Sequence, residues 1–185
     1  MRGWITPGLR RLTAAALLGI VALAGGRLAA AETLPVVTSF SILGDLTQQI
    51  GGDRVEVLSL VGPGADAHVY QPTPGDARRL ARAKLVVVNG LGFEGRIDRL
   101  IQSSGYRGGV VVASRGVEAM RLAGGEADRH PQHGDLDPHA WQDLANARRY
   151  VVNIATALAA VYPANRAYYQ ANADRLERQI GTLDT

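Results

Sequence analysis

Leu85-Val86-Val87-Val88 and Val110-Val111-Val112 are uninterrupted apolar runs, without the in-and-out alternation of a strand that keeps one face in water. Runs of this kind are stable where helices cover both faces of a sheet, which points to a parallel arrangement built from strand–helix repeats. Two more strands are expected at Pro35 to Phe40 and at Arg54 to Val61, the second bounded by glycines. Between the strands the pattern turns helical. One helix is expected over Gly44 to Ile50, and another runs to about Ala83 with Thr73 as N-cap, Pro74 at its first position and Asp76 in its first turn. A third is expected over Phe93 to Ser104, where Phe93, Ile97, Leu100 and Ile101 share a face. The fold class is therefore α/β: a parallel four-stranded sheet flanked by helices.

Downstream, Gly124 to Pro138 reads as a polar loop, and Asp143 caps a helix on which Leu144, Ala147, Val151, Ile154, Leu158 and Val161 recur with helical period. Pro163 opens a last helix with a stripe of Tyr169, Leu176, Ile180 and Leu183. No capping residue or breaker follows that stripe, so the helix is expected to continue and to be covered by residues further along. At the other end, residues 1–11 carry three arginines, Leu12 to Ala24 is apolar but too short for a membrane span, and Ala29-Ala30-Ala31 suits a signal peptidase. Residues 1–31 are thus expected to be a cleavable signal peptide.

The charge agrees with export rather than nucleic-acid binding. Of the net +3, the leader's four arginines account for +4, which leaves the rest of the chain at −1. The sequence has no cysteine, which excludes a disulfide framework, a thiolate metal site, a cysteine nucleophile and a lipid-bearing cysteine. Any metal must be held by nitrogen and oxygen.

All four histidines fall in expected loops. His68 lies in Asp66-Ala67-His68-Val69-Tyr70 after the second strand, and His139 in Asp137-Pro138-His139-Ala140-Trp141 after the fourth. Ligands of open parallel sheets bind outside the carboxyl ends of the strands, where two such loops can converge. A lone loop histidine is ordinarily bonded to backbone. The repeated Asp-x-His pattern favours a shared ion, with a nearby carboxylate or carbonyl taking the proton of the far ring nitrogen. Two imidazoles are too few for a tight zinc or manganese site, so further donors are needed. His130 and His133 form a His-x-x-His in a hydrophilic loop that suits loose metal capture or mere solvation.

Two rival chemistries have their own residues. Gly90-Leu91-Gly92-Phe93-Glu94-Gly95 matches the G-x-G-x-x-G of dinucleotide sites, after a strand and before a helix, and Arg115 suits a 2′-phosphate, as in an NADP-dependent oxidoreductase. Glu94 opposes this by placing a negative charge where the pyrophosphate would sit. Without a nucleotide, the glycines make a tight turn with Asn89, and Glu94 serves the helix dipole. A zinc hydrolase would draw its general base from Asp66 or Asp137, neither of which has a neighbour in sequence that raises its pKa.

Asp66 to Pro74, Asn89 to Glu94 and Asp137 to Asp143, in this order, resemble the periplasmic zinc- and manganese-binding proteins of ABC transporters, the TroA-like or ZnuA-like family. The resemblance spans roughly Leu34 to the end. It implies one lobe of a bilobal protein over residues 32–162, the start of an inter-lobe linking helix over 163–185, and a second lobe further on. It implies that His68 and His139 are metal ligands at the cleft between lobes, with a further His or Glu and an Asp expected beyond residue 185. His130 and His133 stand where zinc-binding members carry an auxiliary histidine-bearing loop. Where many relatives have Pro and Glu in the first motif, this chain has Ala67 and Gln71, which should alter loop stiffness more than coordination.

The implied protein is a carrier and not an enzyme. It captures Zn²⁺, alternatively Mn²⁺, in the periplasm as an unanchored monomer and delivers it to a membrane permease driven by a cytoplasmic ATPase. Because imidazole binds metal only when neutral, affinity should weaken as pH falls through about 6.5.

Overall fold

The apolar runs become the inner layer of a parallel sheet. The computed structural model describes residues 33–122 and 135–183. In chain order they form β1 (Leu34–Phe40), α1 (Ser41–Gly51), β2 (Val55–Val61), α2 (Pro74–Arg82), β3 (Leu85–Val88), α3 (Arg96–Ser103), β4 (Gly109–Val112), α4 (Leu144–Val161) and α5 (Arg166–Gly181). The strand order is β2-β1-β3-β4. All pairings are parallel: Val37 lies opposite Leu58 of β2 and Val86 of β3, and Val86 lies opposite Val110 of β4.

The inner strands are covered on both faces, as their composition requires, with Val36, Val37 and all of β3 buried. β4 departs from that expectation. It has a neighbour on one side only, and Val110 is 48% exposed. An apolar run marks a strand but does not say whether it is central or at an edge.

Two helix starts differ from the sequence pattern. α1 begins at Ser41, directly on the last residue of β1, with no side-chain cap to announce it. α3 begins at Arg96 rather than Phe93, because Gly90, Leu91, Gly92 and Gly95 all have positive φ and hold the chain out of helical geometry until then. α2 matches its signals. Thr73 and Asp76 form a reciprocal capping box with Pro74 in the first turn. Thr73→Ala removes half of that box and is expected to cost about 1 kcal/mol, read as a lower urea midpoint with an unchanged slope.

Connections of the usual right hand that leave β1 outward and return across it place α1 and α2 on opposite faces of the sheet. α1 and α4 pack on one face, and α5 lies across them. Leu43, Ile50, Tyr150, Ile154, Leu158 and Tyr169 are fully buried where these helices meet. The expectation that residues further along cover the last helix is corrected here. Tyr169, Leu176 and Ile180 are already buried against α1 and α4, while Leu183 at the end is 74% exposed. The Asn172 amide donates to the Ile50 carbonyl at 2.9 Å, and the Tyr168 hydroxyl to Asp53 at 3.0 Å, which fastens α5 to the end of α1 and the turn after it. Among the described residues no helix is long and apolar enough to cross a membrane. The expected signal peptide lies outside them.

Candidate functional site

With the order β2-β1-β3-β4, the connections after β1 and β3 leave in opposite directions, and the crevice at their carboxyl ends is where this architecture receives ligands. Three segments meet there: the loop after β2 with His68, the glycine turn after β3, and the stretch after β4 with His139. The two imidazoles, 71 residues apart in sequence, stand with their Nε2 atoms 3.3 Å from each other and ring centroids 5.4 Å apart. His130 and His133 lie outside the described residues.

Each Asp-x-His is an Asx turn. Asp66 Oδ1 accepts the backbone N–H of His68 at 2.8 Å, and Asp137 Oδ1 accepts that of His139 at 2.9 Å. Asp137 Oδ1 also lies 2.7 Å from Nδ1 of His139. An ionised carboxylate only accepts, so the His139 proton sits on Nδ1 and the Nε2 lone pair is left for the crevice. The nearby carboxylate expected at the far ring nitrogen is, for His139, Asp137. At Asp66 the bond goes to the backbone.

The His68 loop is anchored from below. The Tyr70 hydroxyl donates to Asp76 Oδ2 at 2.6 Å, the same carboxylate that closes the capping box and pairs with Arg79 at 3.0 Å. Burial alone would raise the Asp76 pKa, but the bonds from Tyr70, Thr73 and Arg79 outweigh it and hold the group below its ordinary value.

Aromatic rings floor the site. The Phe93 ring meets His68 edge-on at 5.0 Å and His139 at 5.8 Å, and it is backed by Phe40 at 4.9 Å and Trp141 at 5.0 Å. An apolar shell of this kind limits water around polar donors. The sequence pattern assigns Phe93 to a helix face, and its contact with both histidines was not foreseen. The available signal was an aromatic residue inside a turn that positive-φ glycines keep from being helical.

The glycine turn has its own occupant. Glu94, 3% exposed, accepts the N–H of Asn89 and, at 2.9 Å each, the N–H of Gly90 and the hydroxyl of Ser39. Its carboxylate serves the end of β3 instead of the α3 dipole, which corrects the sequence expectation and leaves the turn's amides engaged. Burial pushes the carboxyl up to about 7 against the pull of those three donors. At Gly90, φ is +87°, and a Cβ would come within 2.4 Å of Val112 Cγ1, so both backbone and space require glycine.

Behind the turn, the Asn89 amide donates to the carbonyls of Gly90 and Pro138, each at 2.9 Å, and its oxygen accepts the Tyr150 hydroxyl at 2.6 Å. Burial, then the charge of Glu94, pushes the Tyr150 hydroxyl above its ordinary range, so it remains a donor. Among the described residues no group of three His, Cys, Asp or Glu side chains is placed to hold an ion.

A model of the ZnuA family, zinc-uptake complex component A periplasmic, matches residues 36–185. The chain is 34% identical over 181 residues to the manganese ABC transporter substrate-binding lipoprotein PsaA of Streptococcus pneumoniae, covering 94% of this chain and 57% of that protein. It is 36% identical over 183 residues to the iron-binding protein YfeA of Yersinia pestis, with the same coverage of each. The Mn-bound periplasmic metal binding protein of Candidatus Liberibacter asiaticus superposes with a TM-score of 0.70 at 33% identity, over 80% of this chain and 53% of that one. The chain spans about half the length of the curated relatives it matches. Several of those relatives are named lipoproteins, which departs from the expectation of an unanchored protein.

Proposed function

This chain belongs to the ZnuA family of periplasmic zinc-uptake components, and on that premise we propose that it captures a divalent transition metal with His68 and His139 and delivers it to an ABC transporter. The family is one of transport components and not of enzymes. Zinc is the first choice of cargo and manganese the second. The observation that carries this reading is the 3.3 Å between the two Nε2 atoms. A tetrahedral zinc with Zn–N bonds of about 2.0–2.1 Å holds two of its nitrogens about 3.3 Å apart. Paired imidazoles also suit zinc, whereas manganese favours more oxygen; the manganese alternative rests on the names of PsaA and of the Mn-bound relative.

Asp137 supports this role by fixing the ring proton of His139 on the nitrogen away from the crevice. The remaining donors are assigned to the part of the relatives' length that this chain does not span. His130 and His133 are assigned an auxiliary role in gathering metal, and Ala31 the end of a cleaved leader that delivers the protein to the periplasm. The membrane permease and its ATPase are the proposed partners.

Competition titrations of the full-length protein against a chelator, with Zn²⁺ alone and Mn²⁺ alone, test the reading. Tight one-to-one binding of at least one of them is expected, without turnover of ester or phosphate substrates. Protons and metal compete for the same two nitrogens, so affinity is expected to fall steadily between pH 7.5 and 5.5. A flat profile over that interval would speak against ligation by histidine.

A further inference from the structure

We infer that the Asn89 side chain is a positioning residue for His139, setting the imidazole before metal arrives; this rests on the reading of His139 as a metal donor. The Pro138–His139 peptide is held at both edges. Its carbonyl accepts the Asn89 amide at 2.9 Å, and its N–H donates to Asp137 Oδ1 at 2.9 Å. A planar peptide bonded at both edges cannot rotate about its flanking bonds without losing one of them, so the direction in which the His139 side chain leaves the backbone is fixed. Asp137 then fixes the ring through Nδ1 at 2.7 Å.

Asn89 suits this task because it is itself immobile. It is fully buried at the end of β3, and both ends of its carboxamide are committed, the nitrogen to Gly90 and Pro138 and the oxygen to Tyr150 of α4. The Pro138 carbonyl settles which end of the amide faces it, since a carbonyl only accepts and the amide oxygen is then left to take the Tyr150 proton. The sheet, the long helix and the His139 loop are thereby joined at one side chain. On the His68 peptide, the N–H goes to Asp66 and the Ala67 carbonyl accepts Tyr70 N–H at 3.4 Å, both within the same loop.

The test uses the full-length protein with Zn²⁺ alone and Mn²⁺ alone. Asn89→Ser, too short to reach Pro138, is expected to raise the dissociation constant about 10- to 100-fold, the range for partners that orient metal ligands. Asn89→Asp keeps the shape but sets an oxygen against the Pro138 carbonyl and should have the same effect. Tyr150→Phe, which leaves the amide in place but free to turn, should lose less than Asn89→Ser.

Leu158→Ala serves as the control. It destabilises the same core without touching the site and should leave affinity unchanged. In the metal-free protein, the imidazole ¹⁵N resonances of His139 should move in Asn89→Ser and stay in place in Leu158→Ala. Should Asn89→Asp fail to fold, Asn89→Ser and Tyr150→Phe decide. Native affinity in Asn89→Ser, or a loss no larger than in Leu158→Ala, overturns the inference. His139→Ala separates the two levels: if it binds normally the site reading itself fails, and if it weakens binding while Asn89→Ser keeps native affinity, only the role of Asn89 fails.

Discussion

His139→Ala is expected to weaken zinc or manganese binding by more than about a hundredfold, since even the outer partners of metal ligands contribute 10- to 100-fold and a direct donor contributes more. His68→Ala should lose a comparable amount. The informative result is the double variant. With one imidazole gone, the other no longer chelates, so removing both should cost little beyond either single change, as expected for groups that act on one ion. Calorimetry or competition with a chelator reads all three. Independent losses that simply add would mean that the two rings serve different sites, despite the 3.3 Å between them. Asp137→Asn keeps the turn to the backbone but puts a neutral oxygen beside Nδ1, and it should fall between the wild type and His139→Ala.

The second large effect concerns stability and pH. The Glu94 carboxyl, ordinarily at 4.5, is pushed up to about 7 by burial, so between those values the folded protein keeps a proton that the unfolded chain releases. Stability contributed by this group is therefore highest below pH 4.5, falls as pH rises, and is fully lost above about 7. The loss amounts to about 3 kcal/mol. Glu94→Gln cannot ionise and lacks this slope, whatever its absolute stability. Urea unfolding of both proteins from pH 4.5 to 8, with a chelator present, should show the variant gaining on the wild type by about 3 kcal/mol as pH rises. A gap that stays constant would mean that the three donors on Glu94 hold its carboxyl at an ordinary value.

The parts of this molecule that are written locally were readable in the sequence. Consecutive valines identified the sheet and its parallel pairing, Thr73-Pro74 marked the start of α2, and Asp143 marked that of α4, where its side chain accepts the Asn146 N–H. Two Asp-x-His repeats, each after a strand, led to the pair of rings at the crevice. What was not readable depends on contacts between distant residues. Nothing in the neighbourhood of Glu94 says that it turns back to Asn89, Gly90 and Ser39, because that follows from β1 and β3 ending side by side. The cover over Tyr169 and Ile180 comes from α1, more than a hundred residues earlier, and helical spacing carries no information about which partner an apolar face will meet.

The place of Trp141 has a practical consequence. Its indole lies 5.2 Å from the His139 imidazole, and the only other tryptophan in the sequence, Trp4, belongs to the proposed leader. An intrinsic fluorophore thus stands beside the proposed donor, so loading and unloading of the crevice are expected to change ultraviolet emission in real time, with no dye attached.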